Sequence, residues 1–395
     1  MESNILTAVT ARKCVSCGLC NSVCPINAIH MKYSAKTGFY VPEVMDTCIN
    51  CGKCVAFCPA LKKDKKKSYI GNAETISLVY SADQKVRKYG TSGGVVNEII
   101  RFLLQSGMID AALLVKKGHN EIESDTVIVT NEDIDDMLDN PREYASRYVT
   151  VPILMRLKEL LGKENKIAIV GTPCQISAAR RYIESRKEIA TCIYLGIACS
   201  SGISYEATRQ YKKMTKLEDA QFYYRGDGWP GKNMLLKDRE CLTYTHPQSL
   251  FERMFSSQIF KNPGCYNCDD QFAEDADISF CDFWNDKELK CERIGKTCVL
   301  VRTDIGKLII RDMLKSGVIK VSKEVSEKEL VESQMAVLIQ KKEKEQLGLF
   351  YKILKKVTRL IYLSNIYKLF SKREYDFLAR AFSHVVWKSK NRNII

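Results

Sequence analysis

Long apolar runs are missing from this chain: nothing approaches the ~20 consecutive residues that a membrane-spanning helix needs, which excludes an integral membrane protein. Histidine is scarce. The four that occur, His30, His119, His246 and His384, stand apart from every motif described below and read as structural or exposed. No Ser/His/Asp grouping and no Walker-type glycine loop accompanies them, so hydrolytic triads and P-loop chemistry lack their parts. The N-terminus offers no basic stretch followed by an apolar segment and a small-residue cleavage site, and the expectation is that nothing marks the chain for export. At 395 residues, two or three domains can each bury a core.

Cysteine, by contrast, is abundant. Seventeen residues is an odd number, and eight of them fall in two close runs, which suits metal ligation in a reduced, cytoplasmic compartment better than a disulfide framework. The runs are one half-motif used twice, 34 residues apart: Cys14, Cys17, Cys20 and Cys24-Pro25, then Cys48, Cys51, Cys54 and Cys58-Pro59. A 4Fe-4S cube needs four soft thiolates, and C-x2-C-x2-C wraps three of them round one cluster from a single loop. In two-cluster ferredoxins the cysteine before the proline serves the other cluster. Cys14, Cys17, Cys20 and Cys58 are therefore expected to hold one cube, and Cys48, Cys51, Cys54 and Cys24 the second. Gly18 and Gly52 permit the sharp turns. Zinc sites use two separated pairs, which this unbroken three-plus-one pattern does not resemble.

The lysine-rich stretch Lys62 to Lys67 reads as a linker. Beyond it, short β-rich runs alternate with helical patterns, as in an α/β domain. Ile76 to Tyr80, Ala111 to Val115, Ile167 to Val170 and Ile189 to Ile197 are expected strands. Val95, Val96, Ile99, Ile100, Leu103 and Leu104 recur at helical spacing after Ser92-Gly93-Gly94, where a helix N-terminus could receive a phosphate group. Cys174 opens a second helix after a buried strand, a position that favours a thiolate, and Cys199 ends another strand. With Cys265 and Cys268 they form a candidate ligand set for a third cluster, the plain alternative being buried structural cysteines. Cys192, Cys241, Cys281, Cys291 and Cys298 have no ligand spacing and are read as structural. Arg225, Trp229 and Lys232 group a guanidinium, an indole and an ammonium suited to an anionic or planar ligand. From about residue 220 onward the chain is expected to be irregular and site-forming.

Thr91-Ser92-Gly93-Gly94, Gly171-Thr172-Pro173-Cys174-Gln175, Gly196-Ile197-Ala198-Cys199, and Cys265-Tyr266-Asn267-Cys268 followed by Ala276-Asp277-Ile278-Ser279 resemble the family of coenzyme F420 hydrogenase/dehydrogenase beta subunits. That family also contains 7-hydroxymethyl chlorophyll a reductase. Cys281, where the family pattern has glycine, is a departure. The resemblance implies FAD and a further 4Fe-4S cluster in this core, with Ser92, Gly93, Gly94, Thr172, Gln175, Arg225 and Lys232 lining the flavin site. It singles out no catalytic acid or base.

The architecture expected is an α+β ferredoxin-like dicluster module over residues 1–62, a linker over 63–72, an α/β flavin-binding domain over 73–335 and a basic helical extension over 336–395. The expected function is an oxidoreductase coupling hydride exchange at FAD, with coenzyme F420 or a similar donor, to one-electron transfer through 4Fe-4S clusters to a carrier or partner redox subunit. Two alternatives stand beside it: a ferredoxin-dependent reductase of an organic substrate, and an electron-relay subunit without flavin. Formal net charge is +14, but residues 341–395 hold fourteen Lys or Arg against four acids, so most of the basicity belongs to the tail. Nucleic-acid binding is not expected from charge so placed. Leu347, Phe350, Ile353, Leu354, Val357, Leu360, Ile361 and Leu363 recur at helical spacing between those cations. They read either as a helix packed on the core or as an attachment to an anionic membrane face or an acidic partner.

Overall fold

The computed structural model describes residues 4–61, 68–119, 123–161, 166–186, 191–237, 240–245, 249–344 and 346–392. Between the two cysteine loops the chain forms an antiparallel hairpin, β1 (Ile29–Ser34) and β2 (Phe39–Val44), with Tyr33 opposite Tyr40. Each loop turns into a short helix, Leu19–Val23 or Lys53–Ala56, through a glycine in left-handed backbone, Gly18 at φ 89° and Gly52 at φ 75°. L-residues with a Cβ avoid that region, so the sharp turns fall on the two glycines.

The large domain contains β3 (Thr75–Ser81), β4 (Ala111–Lys117), β5 (Ser124–Val129), β6 (Lys166–Gly171), β7 (Thr191–Ile197), β8 (Gln221–Tyr223), β9 (Lys232–Lys237), β10 (Glu240–Thr245), β11 (Ile278–Cys281), β12 (Thr297–Val301) and β13 (Ile319–Glu324). Eight of these make one mixed sheet in the order β13-β3-β12-β11-β7-β6-β4-β5. Its centre, β4, β6, β7 and β11, is parallel. Both faces are buried with a period of two: Ala111, Leu113, Ile167, Ile169 and Tyr194 belong to one apolar core, while Ala112, Leu114, Ala168, Ile193 and Leu195 belong to the other. Helices Val95–Gln105 and Asp304–Lys315 supply Ile99, Leu103, Ile309 and Met313 to the second core.

The first core does not stop at the sheet. Leu19, Val23, Ala28 and Ile29 of the cysteine-loop module are part of it, together with Ile153, Leu154 and Ile176 of the large domain. Two hydrogen bonds to backbone carbonyls fix the contact: the Leu154 amide donates to the Cys17 carbonyl at 3.0 Å, and the Ser22 hydroxyl donates to the Leu154 carbonyl at 2.6 Å. Gly18 and Gly264 are glycine for the same reason, since a Cβ on the first would lie 2.5 Å from the Pro152 carbonyl oxygen and one on the second 2.5 Å from that of Lys13. The linker expected at Lys62 to Lys67 lies outside the described residues. Just beyond it, Ile70 is buried and Arg302 holds the Ile70 and Asn72 carbonyls at 2.9 and 2.7 Å, so this stretch is packed on the domain.

The region after residue 220 is more regular than the sequence suggests. A three-stranded antiparallel sheet, β10-β9-β8, covers much of it. Asn233, Met234 and Leu235 are all buried, so the alternation that marks a strand is absent. Asn233 is inside because its amide donates to the Tyr224 carbonyl at 2.5 Å. Around it Tyr211, Phe222, Tyr224 and Phe251 pack as tilted and edge-to-face rings at centroid spacings of 4.7–5.7 Å.

Asp277, in the turn before β11, staples the domain. Its carboxylate accepts from the Tyr194 backbone at 2.8 Å, from Arg180 at 2.7 Å and from the Thr303 hydroxyl at 3.0 Å, joining β7 to two helices. Removing one partner of a buried ion pair leaves the other uncompensated. Asp277→Ala should cost about 3 kcal/mol, read as a lowered midpoint in urea denaturation followed by circular dichroism.

Candidate metal and cofactor site

Cysteines expected to share a cube lie together. Cys58 is within electrostatic reach of Cys14, Cys17 and Cys20, which also sense one another. Burial pushes the Cys14 thiol up to about 11, and Cys17 and Cys20 are driven well above the ordinary thiol value. Cys24, Cys48, Cys51 and Cys54 line one hollow that opens to solvent, with Asn4, Pro25 and Ile26 on its wall. Each group thus takes its fourth cysteine from the other loop. Among the described residues no three of His, Cys, Asp or Glu approach closely enough to hold a single ion. Thiolates set at the corners of a multi-iron cube are spaced more widely than the ligands of one ion, and the donor set is the soft one such a cube takes.

The third group forms at the sheet edge. Because β6 and β7 are parallel, the residues that follow them emerge side by side: Cys174 just after β6, Cys199 just after β7. Cys265 and Cys268 reach the same place from the turn Pro263–Asn267. Cys174 senses Cys268, Cys17 and Cys199, and Cys199 senses Cys265 and Cys268. Burial pushes the Cys199 thiol up to about 12. Cys54 is felt by Cys20 and Cys17 by Cys174, so the group of Cys14, Cys17, Cys20 and Cys58 neighbours both of the others.

Two lysines without any sequence signal attend this group. The buried ammonium of Lys341, 73 residues away on helix Glu327–Lys342, donates to Cys268 Sγ at 3.3 Å and to the Asp270 carbonyl at 2.6 Å. Burial opposes its charge, but Cys268, Cys199 and Cys265 hold its pKa above the ordinary lysine value. Lys261 faces the same cysteines, and burial lowers it to about 8.

The residues expected to line a flavin site divide into two sets. Thr172 and Gln175 form a capping box on helix Pro173–Glu184: the Gln175 carbonyl oxygen accepts from the Thr172 backbone at 2.9 Å and its amide donates to the Val151 carbonyl at 2.7 Å. Thr172 Oγ1 lies 3.4 Å from Cys174 Sγ. Ser92 and Arg225 instead meet Asp282, which follows β11 at the same sheet edge; both bond its carboxylate, and Arg225 also donates to Ser92 at 3.3 Å. Gly93 and Gly94 face protein: a Cβ on Gly93 would meet the Gly295 carbonyl oxygen at 2.9 Å, and one on Gly94 that of Val86 at 2.4 Å. Close backbone crossing therefore accounts for both glycines. Trp229 is buried under the Arg225 guanidinium, 5.6 Å from its carbon, so this segment is interior. The Lys232 side chain lies outside the described residues; its backbone begins β9.

Around this network several donors are buried without a hydrogen-bond partner: Arg142 Nε, Arg147 Nε and Nη1, Arg225 Nε and Trp229 Nε1. Burial lowers Arg147 to about 10, and Tyr148 beside it is raised by burial and by Glu252. Neither Arg142 nor Arg147 stands on a regular element, and their one trace in the sequence is the density of arginine and tyrosine between Arg142 and Tyr148. Cys281 and Cys298, read as structural, are buried opposite each other on β11 and β12.

Residues 76–158 match the family model for the N-terminal part of the coenzyme F420 hydrogenase/dehydrogenase beta subunit, residues 164–327 the model for its C terminus, and residues 13–61 that of a 4Fe-4S dicluster domain. One of the subunits of the F(420)H(2) dehydrogenase of Methanosarcina mazei is 24% identical over 327 residues, 78% of this chain and 84% of that protein. The beta subunit of coenzyme F420 hydrogenase from Methanococcus voltae is 23% identical over 292 residues, 70% of this chain and 94% of its relative. A chain of the F420-reducing NiFe hydrogenase complex from Methanosarcina barkeri shares the fold, with a TM-score of 0.54 at 19% identity over 71% of this chain and 94% of that one. With its dicluster module and both halves of the larger domain matched, the chain belongs to the family of coenzyme F420 hydrogenase/dehydrogenase beta subunits.

Proposed function

We propose that this chain is an iron-sulfur flavoprotein oxidoreductase that couples a two-electron donor, coenzyme F420 or a similar hydride carrier, to a one-electron redox partner. One observation carries the reading: three groups of four cysteines adjoin one another in series, and the last shares a sheet edge with a buried network of arginines, several of whose donors lack partners. FAD, when bound, supplies exchange of electron pairs with a hydride donor and their release singly, while 4Fe-4S clusters accept one electron at a time.

The chain's own residues fit those groups. Cys24, Cys48, Cys51 and Cys54 would hold one cluster, Cys14, Cys17, Cys20 and Cys58 the next, and Cys174, Cys199, Cys265 and Cys268 the third. Arg142, Arg147 and Arg225 bring guanidinium donors suited to a pyrophosphate, and Trp229 an indole face and a free N–H. Asp282 keeps Arg225 charged and oriented although burial works against it. Lys341 sets a positive charge against the third group and favours its more negative, reduced state. The names of the relatives support F420 as donor; the dicluster module supports a separate one-electron partner.

Anaerobic purification followed by iron, sulfide and flavin quantification should return about twelve irons and one FAD per chain, three cubes and a flavin. About eight irons without flavin would overturn the reading in favour of an electron relay. Arg147→Met should lower flavin content at least tenfold while iron stays unchanged, measured by cofactor extraction from the same preparation. Lys341→Met removes a charge-assisted hydrogen bond to Cys268 and should lower the midpoint potential of the third cluster by on the order of 50 mV in an EPR-monitored titration.

A further inference from the structure

Helix Gly348–Leu363 carries three kinds of surface, of which the fold buries one. At 3.6 residues per turn, Leu354, Thr358 and Tyr351 share one side and are buried. Lys352, Lys355, Lys356 and Arg359 occupy the next sector. The remainder, about 100° of the circumference, is Leu349, Leu360, Ile353, Val357 and Phe350, all exposed, with Leu360 at 66% and Leu349 at 72%, and at the helix end Leu363, also exposed, stands beside them among the cations. The apolar face continues past the helix end into Ile366 and Leu369, the latter 86% exposed. From Gly348 to Phe370 there are five Lys or Arg and no Asp or Glu.

We propose that this face rests on an anionic bilayer surface, its apolar sector in the headgroup boundary and its cationic sector against the lipid phosphates. An exposed apolar stripe of this width on a helix already docked by another side is not needed for folding. A protein partner is a poorer match, because protein interfaces are depleted in lysine, whereas lysine beside exposed leucine and phenylalanine is the pattern of helices that lie in a membrane interface. Among the described residues no helix is long and apolar enough to cross a membrane, so the contact is peripheral. The same helix lays Lys355 over the Tyr266 ring at 4.4 Å, between Cys265 and Cys268, so membrane contact would seat the third cysteine group close to the lipid surface.

The test is co-sedimentation of the full-length, cluster-loaded protein with vesicles of phosphatidylglycerol and phosphatidylcholine, or of phosphatidylcholine alone. Binding is expected on the anionic vesicles, at least tenfold weaker on the neutral ones and weakened by salt. The triple variants Leu349→Gln/Leu360→Gln/Leu363→Gln and Lys352→Gln/Lys356→Gln/Arg359→Gln should each lose at least tenfold in binding with iron content unchanged. These positions are exposed, so neither variant removes a core side chain. Absence of sedimentation, binding unaltered in both variants, or a dimer in analytical ultracentrifugation that the leucine variant dissociates would overturn the proposal.

Discussion

Four thiolates resist being gathered into the interior of a protein. Each must leave water, and each repels the others, which is why burial drives the thiols of Cys14, Cys17 and Cys199 upward. A cluster that binds thiolates turns this cost into cohesion. Three groups of cysteines in this fold pose that demand. Two loops exchange their fourth cysteine across the N-terminal module, and the third group gathers at the ends of parallel strands, the edge of an open α/β sheet where sites form. Lys341 and Lys261, brought in from elsewhere, add the opposite charge.

Holding the cysteine groups next to one another requires that the parts carrying them not move relative to one another. The N-terminal module is accordingly not tethered beside the large domain but built into one of its two cores through Leu19, Val23, Ile153 and Ile176. Glycine at 18 and 264 lets backbones touch where any side chain would hold them apart.

Local pattern exposed much of this in the sequence, and distance concealed the rest. The cysteine repeat, the strands of the parallel centre and the helices after Gly94 and Thr172 are legible because spacing within a few residues determines them. The convergence of Cys174, Cys199, Cys265 and Cys268 followed from strand ends and a short pair. Lys341 could not be read, because nothing in the local sequence distinguishes it from Lys342 beside it; only the fold carries it to Cys268. Ser92, Gly93 and Gly94 suggested a phosphate site from local pattern; that the two glycines accommodate Gly295 and Val86, and that Ser92 meets Arg225 at Asp282, only the fold shows. In the last helices the period of the apolar residues was visible but not their sides: Leu354 is 7% exposed and Leu360 66%, though both fit the same repeat.

The C-terminal helices reach back both to the third cysteine group and to the first hairpin. Lys341 bonds Cys268, and the Tyr362 hydroxyl donates to the Thr37 carbonyl of the first hairpin turn. Because synthesis runs from the N-terminus, the helices after residue 326 emerge later than the segments they bond. The surroundings of Cys268 are therefore incomplete until helix Glu327–Lys342 has been made and has docked, so the environment of the third cysteine group is set later than the cysteines themselves.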